Sequence, residues 1–111
     1  MATAGDLRRI ALSLPGTTEA SHFDRTAFRA RRIFVTLAAD GATANFMFTP
    51  EQQSFKCMMM PDAFAPVPNA WGKRGATTAE LAVLAPAELD DALRLAWSNA
   101  QASRAGARRA R

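Results

Sequence analysis

The chain has 111 residues, a length that suits one domain and leaves little room for two. Apolar residues make up 49% of it, but 25 of these are alanine, so the larger side chains suffice for one modest core; this excludes global disorder, and no apolar run approaches the ~20 residues of a membrane helix. The net charge of +4 comes from Arg104, Arg108, Arg109 and Arg111 in the last eight residues, while the preceding 103 balance 10 Lys/Arg against 10 Asp/Glu, so overall charge does not by itself make the body a polyanion binder.

A first helix is predicted over Ala4 to Leu14. Thr3 caps it with Asp6 three residues on, Leu7, Ile10, Ala11 and Leu14 recur at helical spacing, and Pro15-Gly16 stops it. Thr17 to Asp24 is polar and reads as a loop. Three strands follow: Thr26 to Arg31, Arg32 to Ala38 and Ala42 to Phe48, the last returning across the Asp40-Gly41 turn. In the middle strand Ile33, Val35 and Leu37 alternate with Phe34, Thr36 and Ala38, so both faces are expected to be partly covered, as in a central strand. The third puts Ala44, Phe46 and Phe48 on one face and Thr43, Asn45 and Met47 on the other.

A second helix starts at Thr49-Pro50-Glu51-Gln52, another capping box, with Phe55, Met58 and Met59 as its expected inward face. Pro61 to Gly75 reads as an ordered surface loop anchored by Phe64, Val67 and Trp71, and loops of this length are often functional. A strand is expected over Thr77 to Leu84. A last helix begins at Pro86, with Leu84 stapled to Leu89 and a stripe of Leu89, Leu93, Ala96 and Trp97. Residues 1–103 are thus expected to form one α+β domain, an antiparallel sheet with helices on one face, in the order α-β-β-β-α-β-α. Residues 104–111 are an Arg/Ala-rich tail expected to lack fixed structure. The N-terminus shows no signal peptide pattern and Cys57 has no internal partner, so a cytoplasmic protein is the expectation, with no membrane partner; the sequence gives no oligomeric state, and a monomer is assumed.

The chain resembles the MmcQ/YjbR family over nearly all of residues 4 to 103. The likeness rests on Leu12-Ser13-Leu14-Pro15-Gly16-Thr17, His22-Phe23 leading into Ala27-Phe28-Arg29-Ala30, and Ile33-Phe34-Val35-Thr36-Leu37. Pro66-Val67-Pro68, Trp71-Gly72-Lys73-Arg74-Gly75 and the Pro86-Ala87-Glu88-Leu89 helix start complete it. The resemblance implies a frataxin/CyaY-like fold and a double-wing DNA-binding protein, and brings no catalytic residues with it. It does not bring iron chemistry either, since the first helix holds Arg8 and Arg9 beside Asp6.

Two groups of cations are candidate nucleic-acid contacts. Arg25, Arg29, Arg31 and Arg32 cluster on the meander, where guanidinium forks suit phosphate; the competing reading is a solvated sheet face partly neutralised by Asp24 and Glu80. Lys73 and Arg74 sit beside Trp71 in a glycine-flanked segment that suits phosphate contact or base stacking; here the alternative is that Trp71 plugs the core edge and the pair is merely exposed. The tail adds salt-sensitive attraction to DNA or another polyanion, or serves only as a solubilising extension. His22 is the only histidine and lacks a nucleophile or second base, Cys57 sits among methionines, and no residues have metal-ligand or cofactor-binding spacing, so no catalytic residue, metal or cofactor is expected. The expected function is nonenzymatic DNA binding, mainly through phosphates. The alternative is a protein-interaction or small-ligand-binding module using the 61–75 loop.

Overall fold

A computed structural model describes residues 1–102. The expectation for the Arg-rich tail, 104–111, lies outside the described residues. Helix α1 (Ala4–Ser13) is followed by strands β1 (Thr18–His22), β2 (Arg25–Arg29), β3 (Ile33–Leu37) and β4 (Thr43–Met47). After them come α2 (Pro50–Met59), β5 (Phe64–Pro66), the single-turn α3 (Ala70–Lys73), β6 (Ala76–Glu80) and α4 (Pro86–Gln101). The six strands form one sheet in the order β1-β2-β3-β4-β6-β5, every neighbouring pair antiparallel. Helix α4 packs on β3 and β4, and α1 packs on α4. The core of Phe28, Phe34, Phe46, Phe64, Leu89 and Leu93 fills the layer between these helices and the sheet. The fold is α+β, with α1 and α4 on one face of an antiparallel sheet, as the patterning predicts. Among the described residues no helix is long and apolar enough to cross a membrane.

Both capping boxes form. Thr3 and Asp6 exchange backbone-to-side-chain bonds of 3.1 and 3.1 Å, and Thr49 and Gln52 do so at 2.9 and 3.2 Å. Each satisfies donors that the first turn leaves unpaired. Asp40 Oδ1 accepts from Ala42 N–H at 2.9 Å and Gly41 takes φ +72°, closing the expected turn between β3 and β4.

Four elements depart from the sequence reading. Thr17 to Asp24 is not a loop: residues 18–22 form edge strand β1, paired residue for residue with β2. All of its residues are exposed, so no alternation marks it. Its hairpin turn runs through Phe23 at φ +61°, a conformation for which Asn or Gly is the usual signal. Segment 61–75 is not irregular either, since it supplies β5 and α3. Phe64 anchors it as expected, but Trp71 is 60% exposed and plugs nothing. The strand expected over Thr77 to Leu84 starts one residue earlier and ends at Glu80, where a 3-10 turn over Leu81–Val83 buries Leu81 and leaves Val83 exposed.

The largest correction is α2, whose predicted inward residues Phe55, Met58 and Met59 face solvent. The inward side is Gln52, Gln53, Lys56, Cys57 and Met60. The helix docks where backbone carbonyls and polar side chains need partners. Gln53 Nε2 donates to the carbonyls of Gly72 at 2.8 Å and Ala76 at 2.9 Å, Gln52 bonds to Asn99, and Lys56 Nζ reaches Asp91 at 2.6 Å. Hydrogen bonding overrides hydropathy here, because unpaired buried carbonyls are more costly than exposed thioethers.

Candidate functional site

In β4, Ala44 and Phe46 point to the core, so Asn45 and Met47 point to the opposite face, which neither α1 nor α4 covers. The register aligns Ala27, Thr36, Asn45 and Thr78 across that face. A bulge between Phe28 and Arg29 breaks the alternation of β3: Phe34 and Val35 are both buried in the core, and Ile33 joins Thr36 on the uncovered face. This is why apolar residues appear in both alternating sets of that strand.

On this face lies a depression of about 430 Å3. Thr36 and Asn45 contribute from mid-sheet. Ile33, Met47, Val67 and Ala76 supply apolar wall, Trp71 lies at one side, and Arg25 with His22 at the other. No carboxylate is among its lining residues. A second groove of about 300 Å3 shares Ile33, Met47 and Trp71 with it and continues to Arg32 and Asn99. Trp71 thus stands between the two.

Segment 67–75 holds Trp71 there through its glycines and one tether. A Cβ on Gly72 would run into the Val67 carbonyl, and one on Gly75, at φ +114°, would run into the Phe48 carbonyl. Asn69 Oδ1 accepts from Trp71 N–H at 2.9 Å, and Gln53 fixes the segment from α2.

The structure sorts the candidate cations. Arg25 is half-buried, donating from Nε to Thr36 Oγ1 at 2.9 Å and from Nη2 to the Thr36 carbonyl at 3.2 Å. Its Nη1–Nη2 edge is not used. Arg32 donates from Nη2 to the carbonyls of Asn99 at 2.9 Å and Ala102 at 3.0 Å, closing the C-terminal turn of α4. Arg29 and Arg31 are exposed and make no side-chain hydrogen bond or ion pair among the described residues. Arg29 is the register partner of Ile33, next to the depression. Asp24 and Glu80 form no ion pair with any of them, and Glu19 pairs with Arg8 instead. Lys73 is exposed, and Arg74 lies over Trp71 with its guanidinium carbon 5.3 Å from the ring centroid. Of the first group Arg25 and Arg32 line the two depressions that share Trp71, and of the second Arg74 lies on the Trp71 ring.

His22 lines the depression and packs edge-on against Phe23 at 5.0 Å, with no carboxylate bonded to it among the described residues. Cys57 lies on α2, half-buried, and burial pushes its thiol up, away from thiolate reactivity. Thr36, Asn45 and Met47 were not singled out as site residues. The available signal was a polar residue in mid-sheet, on the face of β4 opposite Phe46.

Comparisons with known proteins bear on this arrangement. No protein with a curated description matches the chain. The crystal structure of Deinococcus radiodurans protein DR2400, a DUF419 domain, shares the fold with a TM-score of 0.80 at 20% identity, covering 98% of this chain and 88% of that one. The model of the YjbR family matches residues 12–99, from the end of α1 to the last turns of α4. That span takes in the whole sheet and both groups of cations, and the chain belongs to the YjbR family.

Proposed function

We propose that the protein binds nucleic acid without catalysing a reaction, as a cytoplasmic monomer, through phosphate contacts from Arg29, Arg31, Lys73 and Arg74. The β1–β2 and β2–β3 turns act as its two wings, the second carrying Arg31 and Arg32. The observation that carries this reading is Trp71, exposed and overlain by Arg74, standing between the two depressions that Arg25 and Arg32 line. An exposed aromatic ring flanked by guanidinium groups is the arrangement on which bases stack while phosphates meet the cations. Arg32 contributes less, because its guanidinium group already serves the end of α4, while Arg25 keeps one edge on Thr36 and leaves its Nη1–Nη2 edge to the depression it lines.

The test is fluorescence anisotropy of labelled single- and double-stranded oligonucleotides over a salt series, with the full chain and with a chain ending at Ser103. The shortened chain is expected to bind. Arg29→Ala with Arg31→Ala is expected to lower the slope of log K against log salt by about 1 for each phosphate contact removed, at unchanged stability. Binding that disappears with the tail, or that ignores all four rim cations, refutes the reading and assigns the affinity to residues 104–111.

A further inference from the structure

Besides the rim cations, the depression has an interior that phosphate contact does not explain. Asn45 is half-buried in mid-sheet, and its carboxamide makes no hydrogen bond among the described residues. Its polar atoms are therefore open to the depression and available to water or a ligand there. Arg25 reaches the same space. Its Nε and one Nη2 hydrogen are taken by Thr36, which fixes the guanidinium and leaves the Nη1–Nη2 edge as a preformed fork. The opposing walls are the Trp71 ring and the apolar side chains of Met47, Ile33 and Val67. About 430 Å3 falls within the ~300–1,000 Å3 range of small-molecule sites, and such sites combine apolar walls with a few converging polar groups.

We propose that this depression binds a small planar aromatic anion, a ring carrying a carboxylate or a phosphate. The ring lies along Trp71 and Met47, whose aromatic face and thioether both favour flat, polarisable partners. The anionic group meets the free edge of Arg25 in a site lined by no carboxylate. Asn45 offers one donor and one acceptor to the ring's heteroatoms. A metal ion or a cationic ligand finds no countercharge there. The proposal shares Trp71 with the nucleic-acid reading and differs from it in resting on Arg25 and Asn45 rather than on the rim cations.

The chain supplies its own reporter pair. It has two tryptophans, Trp71 at the depression and Trp97, whose Nε1–H is held on the Pro15 carbonyl at 3.0 Å. The experiment titrates the full chain with 1-naphthoate, 1-naphthalenemethanol, dTMP and a thymidine oligonucleotide, reading the two indole N–H resonances by NMR. Saturable movement of the Trp71 signal with 1-naphthoate or dTMP, the Trp97 signal staying fixed, is expected. The neutral alcohol should bind about tenfold more weakly or worse, because it forgoes a charge-assisted bond. Arg25→Gln should weaken the anions to a similar degree. Asn45→Asp, which places in the site a negative charge that repels an anion and competes for the Arg25 fork, should abolish anion binding while leaving the alcohol's weak binding in place. Equal affinity for acid and alcohol overturns the proposal, as does movement of both indoles or indifference to Asn45→Asp. A Trp71 signal that responds to the oligonucleotide alone also overturns it and gives the depression to the nucleic-acid path. Failure of the anisotropy experiment with naphthoate binding intact leaves this site standing and removes only the other reading.

Discussion

Lys56 gives the sharpest test of how α2 is held. Its side chain is 8% exposed, yet its partner Asp91 is 69% exposed, at an Nζ–Oδ2 distance of 2.6 Å. The ammonium also lies 5.8 Å from the centroid of the buried Phe64 ring. An ion pair with one partner in water is well screened and contributes little, while the buried stem covers apolar surface. Lys56→Ala deletes the Cγ, Cδ and Cε methylenes; at about 0.8 kcal/mol for each buried methylene, plus incomplete collapse of the space left, the loss is ~2–3 kcal/mol. Lys56→Met keeps a stem of similar volume and is expected to change stability by less than ~1 kcal/mol, with Asp91 returning to water. Asp91→Asn falls between them at about 1 kcal/mol, through the ammonium left without its carboxylate. Urea unfolding of the four proteins, at low and high salt, measures this through the midpoint at constant slope. If Lys56→Met loses as much as Lys56→Ala, the charge and not the stem holds the helix, and the reasoning fails.

Two further outcomes follow from the same geometry. Gly72→Ala sets a Cβ against the Val67 carbonyl, so the substitution is expected to reach or exceed the upper end of the ~1–3 kcal/mol of ordinary overpacking and to change Trp71 emission; an unchanged melting temperature and spectrum would contradict the tight approach. Asp6 accepts from the Thr3 backbone N–H, then from its hydroxyl and from Arg9, and these hold its carboxyl below the usual 3.8. A depressed folded value contributes stability that is present above the unfolded value and is lost as pH falls through the folded one. Acid titration followed by circular dichroism should therefore show a shallower acid-side loss for Asp6→Asn than for the parent, and superimposable curves would remove this role.

Where a signal is local, it was legible. The Thr3 and Thr49 caps, the Asp40-Gly41 turn, and the stripes of α1 and α4 all follow from residues within one or two turns of each other. Strand β1 was not legible, because an edge strand with both faces wet carries no alternation and its turn residue is phenylalanine. The inward face of α2 misled for a different reason. Its partners are the carbonyls of residues 72 and 76 and the side chains of α4, distant in sequence, so hydropathy pointed to the wrong side. In the candidate site, the cations and the Trp71 segment were the residues the sequence offered. It could not show that Arg25 and Arg32 are occupied while Arg29 and Arg31 make no side-chain bond among the described residues, nor that Asn45 faces a depression, because each depends on contacts distant in sequence.

The cap on α4 links the basic surface to the far end of the chain. Arg32 gives both hydrogens of Nη2 to Asn99 and Ala102, and that nitrogen belongs to both bidentate edges of the guanidinium. An anion that grips Arg32 with two bonds must first release a carbonyl of the last turn. Occupancy at Arg32 and fraying of α4 are therefore thermodynamically linked, and the linkage is reciprocal. Whatever loosens residues 99–102 raises the anion affinity of Arg32, and an anion held there loosens those residues by the same factor.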